Sequence, residues 1–469
     1  MSSARATRWS LPALCAALLA CQPPAADRAM PPKQLYFPSG MFFAQPEPIS
    51  APRSGALFVA SSNFDRRYDD GRMTGIDISA LSCSVAPAGS CLPDFPANVM
   101  SRYPDGNDFP LESLGDGAID EKVLASLAGE MDGIETTGGV FRLLVPSRAE
   151  NSLLQVMDAT GHRITCRGEG ATDDCSVGAI PLEANRTTTS GVPRVPAPFS
   201  VSISRPDGDA FVTSLQFADS PAATGQNPAV FTVKLNALNP QVTDDSFINL
   251  GNIRSQSVAM GSRYAFMTGA QGLALRLIDR QSAKRVINAA IELDFNLLET
   301  RGLALAGDQS EVFVAARSPD ALLQLHVRGA ATDTPSFSLA HAELLPLGAS
   351  QVRVMDKPSG GHVAFVTSLG SQSFDAVGQT QGSLVVYDDE AAQQVAILDG
   401  FGLQPYGLAL QPIPPGVRLY VGLFGEGRIA VVDIPDLDRP EDARLVARLG
   451  TSHVCVTNPS SRGCAALNP

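Results

Sequence analysis

One pattern of residues recurs through most of the chain, and it constrains the fold more than any other feature. An apolar alternating strand is followed by a short polar turn, a second strand with an aromatic and small residues, a variable loop and a third strand often closed by Asp. The clearest copies span 301–327 and 406–434. Other copies span 199–235, 257–279 and 352–388, and two degenerate copies come earlier. A period of this length indicates similar structural units that pack against one another.

The second strands of these units share an anchor position that sets their spacing. The anchors are Phe58, Leu144, Phe211, Phe266, Phe313, Phe365 and Tyr420. Most neighbouring anchors are 47 to 67 residues apart. Short alternating strands between Gly, Pro, Asp and Ser turns indicate antiparallel sheets. Seven such sheets, none able to bury both faces alone, predict an all-β, seven-bladed β-propeller. A β-sandwich is the alternative, but it does not need self-similar units at this spacing.

The units resemble the YVTN-type β-propeller repeat. SRPDGDAFVTS (204–214) and RLYVGLFGEGRIAVVDI (418–434) match its P-D-G-like turn, its Y-V-A/T-N-like strand and its V-x-V-I-D strand best. The resemblance covers most of 34–450 and implies that this range is the propeller. Some lactonases share this propeller type, which implies a lactonase-like hydrolase in the central pocket as one reading. The only tryptophan is Trp9, so the repeats do not resemble WD or tryptophan-docked quinoprotein propellers.

The N-terminus has the layout of an export signal. Arg5 and Arg8 precede an apolar run over 11–20, which is about half of the roughly twenty residues that span a bilayer. The run ends in LLAC, which resembles the lipobox of bacterial lipoproteins. We therefore expect a signal peptide over 1–20, lipidation of Cys21 and a Pro/Ala-rich tether over 21–33. The expected location is the bacterial cell envelope, with the outer membrane favoured by Gln22.

The remaining cysteines form three close pairs. They are Cys83 with Cys91, Cys166 with Cys175, and Cys455 with Cys464. An even number of cysteines in a chain with an export signal predicts disulfides. The last pair would staple a C-terminal tail over 451–469. Zinc sites usually need cysteines two to four residues apart with histidine nearby, and these pairs lack that pattern.

The net charge argues against nucleic-acid binding, and the absence of several motifs argues against the catalytic and phosphate-binding sites that those motifs form. The net charge of −13 becomes −15 once Arg5 and Arg8 leave with the signal, which opposes binding to nucleic acid. The sequence lacks a G-x-S-x-G elbow, an H-E-x-x-H motif and a glycine-rich phosphate loop. The five histidines are scattered: His162, His326, His341, His362 and His453. We predict no cofactor and no metal site.

The first two anchors are too far apart for one unit, since 86 residues separate them. The excess lies in 92–137, where ten acidic residues face only Arg102 and Lys122. The stretch AIDEKVLASLAGEM would place four apolar side chains on one face of a short helix. These are Ile119, Val123, Leu124 and Leu127. We predict an acidic loop with a docked helix between the first two blades, with a lid or a cation site as the alternative.

The residues just before the inner strands form the predicted binding site. Inner strands line the channel of a propeller, so the residues just before them converge. The predicted binding residues are Arg194, Gln256, Arg301, Gln351 and Tyr406. Such donors suit a carboxylate, a carbonyl or a peptide turn, although they could equally bond backbone carbonyls around a water-filled channel.

The segment 33–40 should close the ring by adding a strand to the last sheet.

These features favour a non-enzymatic function. We expect a lipid-anchored binding or scaffold propeller with a protein or small-molecule partner, and the lactonase-like hydrolase is the alternative. Fold alone does not decide between them.

Overall fold

The computed structural model shows seven sheets, which are antiparallel except where the two-residue strand β4 (Asp108–Phe109) joins the last of them. It describes residues 29–45, 55–63, 68–78, 108–136, 138–148, 152–168, 173–182, 197–205, 208–215, 229–235, 247–249, 255–269, 275–281, 286–288, 291, 297, 299–371 and 381–452. Among these residues, no helix has the length and apolarity that a membrane span requires.

Each sheet is one blade, and its strands follow chain order from the inner strand outward. Blade 1 contains β1 (Pro38–Ala44), β2 (Ala56–Ser61), β3 (Gly71–Asp77) and β5 (Ile119–Leu124); the short β4 (Asp108–Phe109) lies elsewhere. Blade 2 contains β6 (Asp132–Glu135), β7 (Val140–Ser147) and β8 (Leu153–Thr160), with β9 (Arg163–Cys166) and β10 (Ile180–Pro181) both pairing with β8. Blade 3 contains β11 (Pro198–Ile203), β12 (Asp209–Ser214), β13 (Ala229–Lys234) and β14 (Phe247–Asn249).

The remaining four blades are more regular. Blade 4 contains β15 (Ser255–Met260), β16 (Tyr264–Gly269), β17 (Arg276–Asp279) and β18 (Val286–Asn288). Blade 5 contains β19 (Glu299–Leu305), β20 (Glu311–Arg317), β21 (Ala321–Arg328) and β22 (Ser336–Leu344). Blade 6 contains β23 (Ala349–Asp356), β24 (His362–Ser368), β25 (Gln381–Asp388) and β26 (Gln393–Leu403). Blade 7 contains β27 (Pro405–Ile413), β28 (Gly416–Leu423), β29 (Arg428–Ile434) and β30 (Arg444–Leu449). Short 3-10 helices occur at Leu111–Leu114, Asp116–Ala118 and Pro440–Asp442.

The blades form a closed ring. Each inner strand contacts the inner strand of the next blade, and β27 contacts β1. All seven anchors lie in second strands and are buried, with Phe58 and Phe313 fully enclosed. The apolar core lies between neighbouring sheets: one cluster, for example, joins Phe266 of blade 4 to Val314 of blade 5. The predicted all-β, seven-bladed propeller is therefore confirmed.

The predicted strand exchange at ring closure is wrong. β1 is the inner strand of blade 1, and blade 7 is complete with its own four strands. The added strand is β4, which pairs in parallel with β30 through Asp108 opposite Arg448 and Phe109 opposite Leu449. The Gly450 N–H donates to the Phe109 carbonyl at 2.8 Å. The Phe109 side chain is buried in one apolar cluster with Leu449.

The predicted helix between the first two blades is also wrong. Residues Ile119–Leu124 form β5, the outer strand of blade 1, which pairs with β3. Pairing with β3 provides the backbone N–H and C=O groups of this segment with the hydrogen bonds that a helix would have formed internally. Ile119 and Leu124 are buried in the core of the blade. The segment 92–137 also contains β6, the inner strand of blade 2. Residues 92–107 lie outside the described residues.

One predicted disulfide lies in the described residues. Cys166 and Cys175 are bonded, with Cα atoms 4.7 Å apart, so this pair is confirmed. The other predicted disulfide cysteines and the lipidation site lie outside the described residues: Cys21, Cys83, Cys91, Cys455 and Cys464.

Candidate functional site at the centre of the ring

A repeated threonine bridge fixes the start of several inner strands. Thr268 Oγ1 accepts a hydrogen bond from the Ser257 N–H at 3.0 Å and donates to the Arg301 carbonyl at 2.7 Å. Ser257 belongs to the inner strand of the same blade, and Arg301 to that of the next. Thr213 and Thr367 make the same two bonds in blades 3 and 6, reaching the carbonyls of Gln256 and Tyr406.

A change of pairing register occurs at the same level in the inner strands. It falls between Ser255 and Val258 in β15 and between Thr300 and Leu303 in β19. The corresponding change lies at 349–352 in β23 and at 405–408 in β27. Such bulges re-aim side chains. Four of the predicted binding residues lie within these stretches: Gln256, Arg301, Gln351 and Tyr406.

The side chain of Glu130 contacts residues of two other blades. Its carboxylate accepts hydrogen bonds from the Ser257 hydroxyl of blade 4 at 3.0 Å and from the Tyr406 hydroxyl of blade 7 at 3.3 Å. Glu130 itself lies two residues before β6 of blade 2, so contacts to blades 4 and 7 place its carboxylate near the ring axis. Burial raises its pKa, and the Arg353 guanidinium and the hydroxyl donors oppose that shift. Burial and the nearby Glu130 likewise raise the pKa of Tyr406.

Three guanidinium groups gather at this end of the ring, on Arg148, Arg301 and Arg317. Arg148 and Arg317 follow or end second strands, which run antiparallel to the inner strands and so finish where the inner strands begin. Burial and the positive charge of Arg301 lower the pKa of Arg317 to about 10, and the same two causes lower the pKa of Arg148. These arginines therefore repel one another, and we call them the arginine cluster.

Carboxylates on Glu299 and Asp320 lie near the arginine cluster and oppose the fall in the pKa of Arg317. Glu299 Oε1 lies 2.7 Å from the Arg301 guanidinium and accepts a hydrogen bond from Gln256 Nε2 at 2.8 Å. Arg317 donates to the Ala349 carbonyl at 2.7 Å, which is a neutral partner. Glu299 is the carboxylate that these contacts pair with Arg301. The cluster thus places three guanidinium groups close together in an acidic protein.

One amide at this site retains hydrogen-bonding capacity. Within the described part of the chain, Gln256 Oε1 is buried without a hydrogen-bond partner. The Gln351 amide interacts with the Tyr406 hydroxyl and opposes the rise in its pKa. Both glutamine side chains are almost fully enclosed. The site therefore offers a free acceptor beside the guanidinium groups.

A cavity of about 490 Å³ extends from Glu130 along the inner strands of blades 2 to 6. It reaches the turns that follow these strands, at the end of the ring opposite the arginine cluster. Its walls include Val258 and Leu303, and its charged groups include Asp132 and Arg353. Burial raises the pKa of Asp132, whereas backbone donors and two arginines oppose that rise. The cavity thus combines apolar walls with a few convergent polar groups.

The structure brings together most of the predicted site. Gln256 and Arg301 meet at Glu299, Tyr406 contacts Glu130, and the Gln351 backbone packs against Gly302. Arg194 lies outside the described residues.

Sequence reasoning missed three residues of the site. Glu130 was counted with the acidic segment 92–137, whereas Arg148 and Arg317 were not singled out. A usable signal existed for the two arginines, because both close a second strand after small residues, in VPSR (145–148) and VAAR (314–317).

Known proteins resemble this chain only distantly. No protein-family profile matches the chain, and no curated protein sequence matches it. A solved structure of the periplasmic gluconolactonase of Pseudomonas aeruginosa is similar, with 15% identity, a TM-score of 0.46, and coverage of 82% of this chain and 88% of that one. The β-propeller domain of Cps50 from Myceliophthora thermophila has 11% identity, a TM-score of 0.45, and coverage of 83% and 94%. A putative 6-phosphogluconolactonase from Bacteroides uniformis has 14% identity, a TM-score of 0.39, and coverage of 69% and 81%. At these identities the likeness concerns the fold alone.

Proposed function

We propose that this chain is a lipid-anchored propeller of the bacterial envelope that binds a small hydroxy-carboxylate at the arginine cluster. The observation that carries the proposal is that three guanidinium groups gather there. Guanidinium groups bind carboxylates with paired, charge-assisted hydrogen bonds. Arg301, whose side chain is 23% exposed, is the group that a ligand reaches first.

The free acceptor on Gln256 explains why the ligand should also carry a hydroxyl group. Gln256 Oε1 can accept a hydrogen bond from such a group. A buried polar atom without a partner costs about 1–3 kcal/mol, so a ligand that supplies the partner recovers that cost. A simple metal ion would not suit a site dominated by cations.

The N-terminal segment lies at the same end of the ring as the arginine cluster. Met30 and Phe37 belong to the apolar cluster that contains Tyr406. Cys21 precedes Met30 by nine residues, which reach roughly 30 Å when extended. A lipid on Cys21 would therefore hold this end of the propeller close to the membrane surface.

Calorimetric titration with malate tests the binding proposal, and succinate, which lacks the hydroxyl, is the matched probe. Malate should bind more tightly than succinate. The double variant Arg301→Ala, Gln351→Ala should bind malate at least about tenfold more weakly, with a melting temperature within a few degrees of the wild type. The matched control is Arg439→Ala, whose side chain is exposed and paired with Asp442. Undiminished malate binding by the double variant would reject the arginine cluster as the site.

A hydrolase acting in the cavity is the second candidate, and the buried carboxylates favour it. Glu130 and Asp132 both border the cavity, and burial raises the pKa of each. A carboxyl group with a raised pKa can serve as a general acid or base, and the adjacent Arg353 could stabilise an oxyanion. Hydrolysis of a simple lactone by the wild type, lost in Asp132→Asn, would support this candidate over binding alone.

A further inference from the structure

A second group of titratable side chains lies between blades 5 and 6. Glu311 begins β20, His362 begins β24, and Asp389 directly follows β25. Second strands begin where inner strands end, so this group lies at the end of the ring opposite the arginine cluster. It is separate from the site proposed above, and the scattered histidines of the sequence gave no sign of it.

We propose that Glu311, His362 and Asp389 form a binding site for a divalent transition metal ion, best matched by Zn²⁺. One ligand atom from each of the three residues lies within 4.8 Å of the other two. His362 Nδ1 is 2.8 Å from Asp389 Oδ2 and 3.6 Å from Glu311 Oε2. Ligand atoms of a tetrahedral zinc site with bonds of roughly 2.0–2.2 Å are about 3.4 Å apart, so small side-chain rotations would create the site.

The three ligands are enclosed and already oriented by neighbours. Their side chains are 7–10% exposed. Glu311 Oε2 accepts a hydrogen bond from Gln324 Nε2 at 2.9 Å, and Gln324 in turn accepts one from the Tyr387 hydroxyl at 2.8 Å. The backbone N–H of His362 donates to Asp389 Oδ1 at 2.7 Å. Partners of this kind hold metal ligands in place in known sites.

The far side of the imidazole provides an independent indication. His362 Nε2 lies 3.5 Å from Asp356 Oδ1 and 3.7 Å from Asp308 Oδ1. When Nδ1 binds a metal ion, Nε2 carries the proton and faces these carboxylates. That is the carboxylate–histidine–metal arrangement by which proteins fix the tautomer of a metal-binding histidine.

The charge around the group also favours a cation. Four carboxylates surround the His362 imidazole, on Asp308, Glu311, Asp356 and Asp389. The nearest lysine, Lys357, is bonded to Asp388 and Glu390 instead. A bound ion would tie blade 5 to blade 6.

Titration of chelator-treated protein with Zn²⁺ tests the proposal. The wild type should bind one ion at this site, and its melting temperature should rise with Zn²⁺ concentration. Asp389→Asn and His362→Gln should each weaken that binding at least about tenfold. The control is His341→Ala, because His341 contacts a single carboxylate, on Glu343, at 3.2 Å.

Three outcomes would overturn the proposal. They are no Zn²⁺ binding by the wild type at millimolar concentration, equal binding by Asp389→Asn, and equal affinity for Zn²⁺ and Ca²⁺. The last result would exclude the imidazole, since Ca²⁺ prefers oxygen ligands. Circular dichroism of each variant shows whether a loss of Zn²⁺ binding is instead a loss of folding. If both variants are folded, the Zn²⁺ affinity of Asp389→Asn, the more conservative change, decides whether the proposal holds.

Discussion

The Tyr406 hydroxyl lies 3.3 Å from the Glu130 carboxylate, although the two residues are 276 positions apart in the chain. The contact joins blade 7 to the residue that precedes blade 2, across the centre of the ring. Both side chains are buried, so the carboxylate has little water to stabilise its charge. The protonation of Glu130 is therefore coupled to the folding of the whole ring.

Stability should depend on pH through Glu130. Burial raises its pKa above the ordinary value of 4.5, so between 4.5 and the raised value the folded state binds more protons than the unfolded state. In that window the free energy of unfolding should fall as pH rises. Glu130→Gln should reduce this slope, as measured by denaturant unfolding at closely spaced pH values above 4.5. Glu441→Gln, at an exposed position, is the control, and an unaltered slope in Glu130→Gln would refute the coupling.

Ring closure should depend on Phe109. Its side chain is buried between β30 and the neighbouring apolar residues, so Phe109→Ala should lower the free energy of unfolding by about 3–5 kcal/mol. Ile397→Ala is the control, because Ile397 is 45% exposed and its truncation should change stability by less than about 0.5 kcal/mol. Equal effects of the two changes in urea unfolding would mean that β4 does not secure the ring.

The threonine bridges should support both stability and ligand binding. Thr268→Val removes a hydroxyl that serves the Ser257 N–H and the Arg301 carbonyl, which should cost about 1–3 kcal/mol. Because the bridge positions Arg301, malate affinity should fall as well. Thr165→Val, at an exposed position on the edge strand β9, should change neither quantity. Unchanged malate affinity in a destabilised Thr268→Val would limit the bridge to a structural role.

Lipidation of Cys21 stays a prediction. The membrane-extracted protein should have an intact mass that corresponds to a chain beginning at Cys21 with acyl groups attached. Cys21→Ser should accumulate with its signal peptide uncut. An unmodified Cys21 in the wild type would exclude the anchor, while leaving the binding proposal to its own test.

The parts of the fold that repeat locally could be predicted from the sequence. Each unit contains its own alternating strands, so the anchors from Phe58 to Tyr420 marked the second strands correctly. The rule that inner strands line the channel likewise located Gln256, Arg301 and Tyr406. Both inferences needed only short stretches of chain and the rule that the inner strands of a propeller line its channel.

The parts that depend on distant contacts could not be predicted. Residues 119–124 suit a helix as well as a strand over so short a window, and pairing with β3 decides between them. The strand β4 has two residues, which is too short for any periodicity. Glu130 looks like one acidic residue among ten until the closed ring brings Tyr406 to it.

The pairing of β4 with β30 also fixes when the protein can finish folding. Asp108 and Phe109 leave the ribosome early, whereas Arg448 and Leu449 are among the last residues of the propeller to be made. Until then Phe109 has no partner strand, and the entropy of closing so long a loop is still to be overcome. A chain truncated before Arg444 would lack β30 and would also leave β4 without a partner strand. β4 can therefore pair with the last blade only after β30 has been synthesised.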